Sequence, residues 1–277
     1  MINQPTLFAL NVHISLKAET LFTIGGVNVT NSMLLGFLTS VILVAIMLVV
    51  ARKSSIQPKR GLRNIVEIIT DFIMGVLEGS LGSREAAIKY TPYFGVYFFF
   101  IIFTNLSGLI PVIGPTITFL SNGEKVPLLR PFTADLNGTI ALAIIAIILV
   151  QYFSIKEQGL KSHLSHYFFE KPLNPIYFFL GLIEIMGEFV RVISLSLRLF
   201  LNTAIGEIII ALLTSIIIAQ GRTPLVVLPI LALEIMVSCI QAYVFTILCA
   251  TYLGLATSHH REKVAQQTIG LTATGHP

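Results

Sequence analysis

Charged residues are scarce in this sequence of 277 residues, and tryptophan is absent. Asp, Glu, Lys and Arg make up 12% of the chain and hydrophobic residues 55%, whereas a typical soluble domain is about 25% charged. This balance excludes an ordinary soluble domain, and it also excludes an intrinsically disordered chain, which needs low hydrophobicity and high charge. The two cysteines, Cys239 and Cys249, lie in an apolar run and are too few for a disulfide framework.

Long uncharged stretches predict where the chain crosses a membrane, because a crossing helix needs about 20 mostly apolar residues. We predict an all-α membrane protein with five crossing helices and one amphipathic interfacial helix. The first crossing is assigned to 33–51, the next two to a helical hairpin at 93–155, and the last two to long tilted helices within 172–257. All belong to a single membrane domain, with an N-terminal extracytoplasmic arm at 1–32 and a cytoplasmic tail at 258–277.

Residues 61–81 have one charged face and one apolar face. The charges recur at helical spacing, opposite isoleucine, leucine and phenylalanine side chains, at Arg63, Glu67, Asp71 and Glu78. A helix with this pattern lies in the membrane interface or against a partner, so we predict an interfacial helix that does not cross. On the pattern alone, a soluble connector helix is an equally good interpretation.

The distribution of Lys and Arg predicts the orientation of the chain. Of the 18 Lys and Arg residues, twelve follow the first, third or fifth crossing, four lie on the opposite side and two lie within the membrane. Cytoplasmic loops carry the excess of Lys and Arg, so the C-terminus is predicted to be cytoplasmic. The N-terminal region lacks a basic segment before an apolar core and a cleavage site, so we expect no cleaved signal peptide.

Ionisable residues interrupt the last two crossings. Each costs about 2.5 to 3.5 kcal/mol at the centre of a bilayer on insertion scales. Such a cost excludes a purely lipid-facing role, because something hydrophilic must meet these side chains. The first of the two helices carries five of them and the second carries one: Glu184, Glu188, Arg191, Arg198, Glu207 and Glu234.

Helical spacing sorts the polar residues of the first long helix into two faces. At about 100° per residue, Glu184, Arg191 and Arg198 form one stripe, which Asn202 extends by one turn. Glu207 lies about 180° round the helix from Arg198 and ~13 Å along it. Because a guanidinium stays protonated in proteins, Arg198 attracts, orients or blocks, but it does not relay a proton.

The second long helix carries its own polar stripe, formed by Glu234, Ser238 and Gln241 at spacings of four and three. This stripe is oriented to face either Glu207 or Arg198. Intramembrane ionisable residues mark functional sites by default, and this favours a functional role for Arg198, Glu207 and Glu234.

Structural roles stay open for the other polar residues. Glu188 and Arg191 have the spacing of an ion pair within one helix, and such a pair explains them as well as a functional role does. Gln241 and Asn202 are interpreted, on the residues alone, as hydrogen-bonding groups between helices. The histidines lie in loops and do not cluster with metal ligands, so no metal site is expected.

Residues 194–207, SLSLRLFLNTAIGE, resemble subunit a of the rotary F-type ATP synthases, the stator half of a proton-translocating motor. The family pattern has an Arg in S-x-x-L-R-L-F, an Asn four residues later and Gly-Glu or Gly-His beyond. Here these positions are Arg198, Asn202 and Gly206-Glu207. Leu201, Thr203 and Ile205 depart from the family's usual Gly, Met and Ala.

Three further segments support the resemblance, which covers roughly 61–259. IQAYVFTILCATYL carries Gln241, with Glu234 seven residues earlier at a position where members vary among polar and ionisable residues. PFTADLNGT at 131–139 is similar to the family's P-T-A-D-L-N-x-T, and NLSGLIP at 105–111 is similar to its second-span ending.

The resemblance implies two aqueous half-channels beside a rotating ring of c subunits, with Arg198 facing the ring carboxylate. Protons would enter one half-channel, neutralise a ring carboxylate, and leave by the other after rotation. The implied half-channel residues are Glu207, Glu234 and Gln241 towards the outside and Glu184 towards the cytoplasm. Asn202 is a further half-channel residue, not assigned to either side, and Glu188, Arg191 and Ser238 have supporting roles.

The resemblance also implies that the chain is not an enzyme on its own, but a non-catalytic subunit. It has no G-x-x-x-x-G-K-[ST] nucleotide loop, and we expect no cofactor and no metal. The implied partners are the c-ring, the b subunits of the peripheral stalk and membrane lipid, but not nucleic acid. The expected location is a bacterial plasma membrane, with a plastid origin as second choice.

The main alternative is a stand-alone ion-coupled secondary transporter whose substrate pairs with Arg198 and the glutamates. It is weaker because the sequence shows neither an internal repeat nor paired Gly- or Pro-broken helices in two halves. A subunit of a redox chain is weaker again, because haem ligation needs histidine pairs within the membrane.

Overall fold

Helices make up most of the chain in the computed structural model. The model describes residues 18–52, 61–110, 118–121, 124–160, 175–219 and 227–273. Within these ranges we number six long α-helices: α1 Asn31–Arg52, α2 Leu62–Leu81, α3 Arg84–Gly108, α4 Leu136–Gln158, α5 Pro175–Ala219 and α6 Leu228–Ala273. All but α2 are long and apolar enough to cross a membrane. The predicted all-α membrane class is therefore confirmed, and the interfacial position of α2 stays a prediction.

Two helices extend beyond their predicted ends, into segments that contain polar residues. Helix α3 begins at Arg84, nine residues before the predicted hairpin at 93–155. Helix α6 continues to Ala273, so much of the predicted tail at 258–277 is helical. Charge density indicates where a chain leaves the apolar region, but it does not indicate where a helix ends. The start of the predicted segment at 172–257 lies outside the described residues.

Two β-hairpins occur in segments where no strand was predicted. In the N-terminal arm, β1 Thr20–Ile24 pairs antiparallel with β2 Val27–Thr30. Their turn consists of Gly25 and Gly26, with φ of 58° and 87°, the left-handed conformation that a tight hairpin of this kind requires. Between α3 and α4, β3 Thr118–Ser121 pairs antiparallel with β4 Glu124–Pro127.

Helix α3 lies at the centre of the fold, packed against α2 and α6, while α4 packs against α5 and α6. Among hydrocarbon tails, helices gain little from leaving the lipid, so close van der Waals packing holds such contacts together. The most deeply buried large side chains include aromatic, leucine and isoleucine residues from α1, α2, α3, α5 and α6, among them Leu35, Ile73, Leu77, Phe94, Ile101, Leu195, Leu199, Phe245 and Leu253.

A sharp corner joins α2 to α3. Gly82 has φ of 68° and donates its backbone N–H to the Glu78 carbonyl at 2.9 Å, which ends α2 in a left-handed cap. Ser83 then caps the first turn of α3 with its side chain. Helix α6 crosses directly over this corner, where a Cβ on Gly254 would overlap the Ser80 carbonyl. The corner therefore fixes where α6 passes.

The segment 130–135 links α1, α3 and α4, and we call it the clamp segment. It contains a 3-10 turn, Phe132–Ala134, whose Phe132 ring fills the space next to Gly36 of α1 and Gly138 of α4. The preceding Pro131 packs so closely on Gly108 of α3 that a Cβ there would overlap its ring. Three helices therefore fix the backbone of this segment.

Asp135 completes the clamp segment with two side-chain hydrogen bonds. One carboxylate oxygen accepts from the Ser32 hydroxyl of α1 at 2.7 Å. The other accepts from the Asn137 N–H at 3.0 Å and so caps α4. A single buried carboxylate thus ties α1 to the first turn of α4.

Candidate functional site

Arg198 lies on an exposed, apolar face of α5. At ~100° per residue, Leu201 and Ile205 are on the same face, and they are 47% and 50% exposed. Arg198 is itself exposed, and within the described part of the chain no Asp or Glu forms an ion pair with it. A permanent positive charge thus stands at an apolar surface without a carboxylate from the described residues to neutralise it.

Glu207 faces away from Arg198, as its spacing predicted, and meets the clamp segment. Its Oε2 lies 3.6 Å from Nε of Arg130. The Arg130 side chain is 3% exposed and the Glu207 side chain is 32% exposed. The pair is therefore buried on the arginine side and partly open on the carboxylate side.

Glu234 of α6 packs against the backbone of α5 at the residue preceding Glu207. A Cβ added to Gly206 would overlap the Glu234 carboxylate. Glu234, Ser238 and Gln241 are all buried, at 9%, 5% and 6% exposure. The polar stripe predicted on this helix therefore faces the interior, and Glu234 meets α5 at Gly206.

A second charged cluster lies nearer the start of α5. Arg191 donates a hydrogen bond to Glu188, three residues earlier. Its guanidinium also lies over the Tyr252 ring of α6, 4.6 Å from the ring centroid. Gln151 of α4 and Glu184 are both close enough to Glu188 to interact with its carboxylate electrostatically. The ion pair that the spacing allowed is present, inside a network of three helices.

Asn202 occupies the turn after Arg198 and is partly buried. Among the described residues no hydrogen bond to its side chain is present. The structure thus brings Glu234 to Gly206 and Glu188 to Arg191, while Arg198 is close enough to Tyr252 of α6 to interact with it electrostatically.

A buried polar cluster behind Glu207 was not predicted from the sequence. The Thr133 hydroxyl of the clamp segment donates to Asn105 Oδ1 of α3 at 2.7 Å, and the Thr203 hydroxyl of α5 lies 3.3 Å from the same oxygen. Arg130 was counted only as a loop charge. The motifs PFTADLNGT and NLSGLIP, which contain Thr133 and Asn105, were the signal that could have identified this cluster.

A second polar contact joins α4 to α5. The Thr139 and Ser196 hydroxyls are 3.3 Å apart, and both residues are fully buried.

No candidate metal site is present among the described residues, because no group of three or more His, Cys, Asp or Glu there is placed to hold an ion.

Comparison with known proteins gives a consistent match along the chain. The family model of the ATP synthase A chain matches residues 33–254. "ATP synthase subunit a" of Moorella thermoacetica is 32% identical over 234 residues, covering 84% of this chain and 94% of that protein. "ATP synthase subunit a 2" of a Bradyrhizobium species is 31% identical over 245 residues, covering 87% of this chain and 95% of that protein.

A longer relative matches over a similar region. "ATP synthase subunit a" of Anaeromyxobacter dehalogenans strain 2CP-C is 31% identical over 240 residues, covering 83% of this chain. The match spans 58% of the length of that relative.

Proposed function

The chain belongs to the ATP synthase A chain family, and from that membership we propose that it is the proton-translocating subunit a of an F-type ATP synthase. It is an integral membrane protein whose C-terminus we place on the cytoplasmic side. In this proposal it forms the static half of the motor, contains two aqueous half-channels, and works beside a rotating c-ring with b subunits in the peripheral stalk.

The observation that carries the proposal is the exposed position of Arg198 on an apolar face of α5. A bare guanidinium facing lipid is costly, and no described carboxylate of this chain neutralises it. A carboxylate of a neighbouring ring subunit offsets this free-energy cost each time it passes Arg198. The apolar surround, with Leu201 and Ile205, then excludes water from the meeting point.

In the proposed mechanism, the Glu207 face and the Arg198 face of α5 have different roles. Protons enter from the outside past Glu207 and Glu234 and neutralise a ring carboxylate, which then moves into the lipid. On the other side of Arg198 the returning carboxylic acid gives up its proton towards Glu184, and the carboxylate that this leaves is attracted by the guanidinium. Arg198 blocks a direct leak because it does not exchange protons itself.

The driving force is the transmembrane potential. Each proton that crosses the full potential releases about 2.3 kcal/mol per 100 mV. Several protons are therefore needed for each ATP made in the catalytic part of the complex. The subunit itself needs only to guide protons, which is why its functional groups are carboxylates, amides and one fixed cation.

ATP-driven proton uptake into inverted membrane vesicles tests this proposal. We expect Arg198→Ala to abolish uptake while a native gel shows a fully assembled complex. The matched control is Arg84→Ala, because the Arg84 side chain is 67% exposed at the start of α3 and should leave uptake unchanged. Uptake that persists at the wild-type rate in Arg198→Ala would overturn the proposal.

Co-purification separates this function from a stand-alone transporter. A subunit a purifies with a ring of small two-helix subunits under mild detergent conditions. A chain that purifies alone and carries out ion-coupled uptake of a solute after reconstitution would instead support the transporter.

A further inference from the structure

We propose that Arg130 is a positioning residue for proton entry, a second fixed cation that holds the Glu207 carboxylate in place from behind. The proposal rests on the proposed function and adds a residue of the clamp segment to it. It begins from the ion pair itself, in which Arg130 Nε lies 3.6 Å from Glu207 Oε2.

The burial of the arginine is the first argument. Arg130 is 3% exposed, although arginine is rarely buried to this degree unless it is paired. A buried guanidinium needs a nearby anion, and truncating one partner leaves the other charge uncompensated. Glu207 therefore does not simply happen to lie near a surface charge.

The rigidity of the backbone around Arg130 is the second argument. The next two residues, Pro131 and Phe132, pack against glycines of α1, α3 and α4 so closely that a Cβ at any of those glycines would overlap them. Asp135 fixes the end of the same segment through its bond to Ser32. The cation thus occupies a position that α1, α3 and α4 help to set, and the adjoining 3-10 turn also packs against α5.

The partial exposure of the carboxylate is the third argument. Glu207 keeps 32% of its side chain exposed, so Arg130 covers one side and leaves another side open. The open side is free to take a proton from water and to pass it on, while the guanidinium keeps all of its own protons. Arg130 therefore orients Glu207 without entering the proton path.

A purely structural arginine would only hold the clamp segment against α5. The two roles differ in how Arg130 and Glu207 combine. If Arg130 acts through the Glu207 carboxylate, replacing it changes nothing further once that carboxylate is gone. If Arg130 only supports the fold, the two replacements act independently and their effects multiply.

The experiment is a double-mutant cycle on ATP-driven proton uptake by the assembled complex in inverted vesicles, with uptake divided by the amount of complex on a native gel. We expect Arg130→Gln to slow uptake about tenfold, within the range found for contacting residues. Arg130→Lys, which keeps the charge, should recover uptake to within about threefold of wild type. The double variant Arg130→Gln with Glu207→Gln should be no slower than Glu207→Gln alone.

Multiplying effects in the double variant, or equal losses in Arg130→Gln and Arg130→Lys, would overturn the proposal. Arg84→Gln is the matched control, because Arg84 also pairs with a glutamate, at 3.8 Å from Glu78, but is exposed. It should leave uptake within about twofold of wild type, as exposed pairs contribute little.

Assembly failure does not block the test. Where Arg130→Gln does not assemble, Arg130→Lys serves in the same cycle, and its smaller deficit should vanish in the Glu207→Gln background. Arg198→Ala in the same vesicles separates the two proposals. If Arg198→Ala abolishes uptake but the effects of the Arg130 and Glu207 replacements multiply, only the role proposed for Arg130 is wrong. If Arg198→Ala takes up protons at the wild-type rate, both the proposed function and the role proposed for Arg130 are wrong.

Discussion

The two ends of α5 stabilise their charges in different ways. Before Arg198, Glu188 and Arg191 pair within three residues, and Arg191 rests on Tyr252. After Arg198, Glu207 finds its cation in Arg130 of the distant clamp segment. The first arrangement is mostly local, and the second exists only once α1, α3 and α4 have assembled. We conclude that the Glu207 end of α5, the outer end in the proposed topology, depends on the whole fold. The Glu188 end, the inner end in that topology, depends on it less.

Arg198, which stands between these ends, shares neither arrangement. It is exposed and has no ion pair among the described residues. A partner carboxylate from the proposed ring would fit this contrast, whereas Glu188 and Glu207 are already held by contacts within the chain.

Among variants that compare the two ends of α5, the largest effect is expected at Gly206, where α5 contacts Glu234 of α6. A Cβ in Gly206→Ala overlaps the Glu234 carboxylate, which must rotate away from its buried place. Because misplacing a functional group by ~1 Å can cost a hundredfold in rate, we expect proton uptake to fall at least tenfold in an assembled complex. Uptake measured in inverted vesicles checks this.

The matched control is Gly187→Ala on the same helix, where an added Cβ meets nothing within 4 Å. It should keep uptake within about twofold, since alanine also favours the helix. A second control adds Glu234→Ala, after which Gly206→Ala should cause no further loss. Normal uptake in Gly206→Ala alone would contradict a functional position for Glu234.

A smaller effect, mainly on stability, is expected from the polar cluster behind Glu207. Asn105→Ala removes the acceptor for the buried Thr133 hydroxyl, and an unsatisfied buried polar group costs about 1 to 3 kcal/mol. The midpoint of thermal unfolding in detergent should fall. Asn137→Ala, at an exposed position on α4, is the control, and an equal loss in both variants would contradict a special role for the cluster.

The smallest effect is expected at the inner end of α5. Glu188→Gln removes a pair at a spacing of three residues, which is worth about 0.2 to 0.5 kcal/mol in an isolated helix. Proton uptake should stay within about threefold of wild type. A loss as large as that of Gly206→Ala would show that the inner end is as dependent on exact geometry as the outer end, and the comparison would then be wrong.

The crossings could be predicted from the sequence because a helix that crosses lipid needs a long, mostly apolar stretch. Uncharged stretches located five helices, and helical spacing correctly placed Glu207 away from Arg198 and suggested the pair of Glu188 with Arg191. These are properties of single helices. Each follows from ~100° per residue without knowledge of any neighbour.

The remaining features depend on contacts between distant segments. Arg130 is one loop charge among several in the sequence, and only the packing of Pro131 and Phe132 brings it to Glu207. The hairpin of the N-terminal arm was missed because its Gly25-Gly26 turn was not recognised as a hairpin signal. The continuation of α6 to Ala273 was missed because its last turns are polar.

The central claim, that a moving partner covers the Arg198 face of α5, is tested most directly by cross-linking in the assembled complex. A photo-reactive residue replaces Leu201 on that face or, as a control, Phe37 on α1, and these are 47% and 70% exposed. Our account predicts that position 201 forms adducts with a small two-helix ring subunit and that position 37 does not. Equal yields of the ring adduct at both positions, or none at position 201, would contradict it.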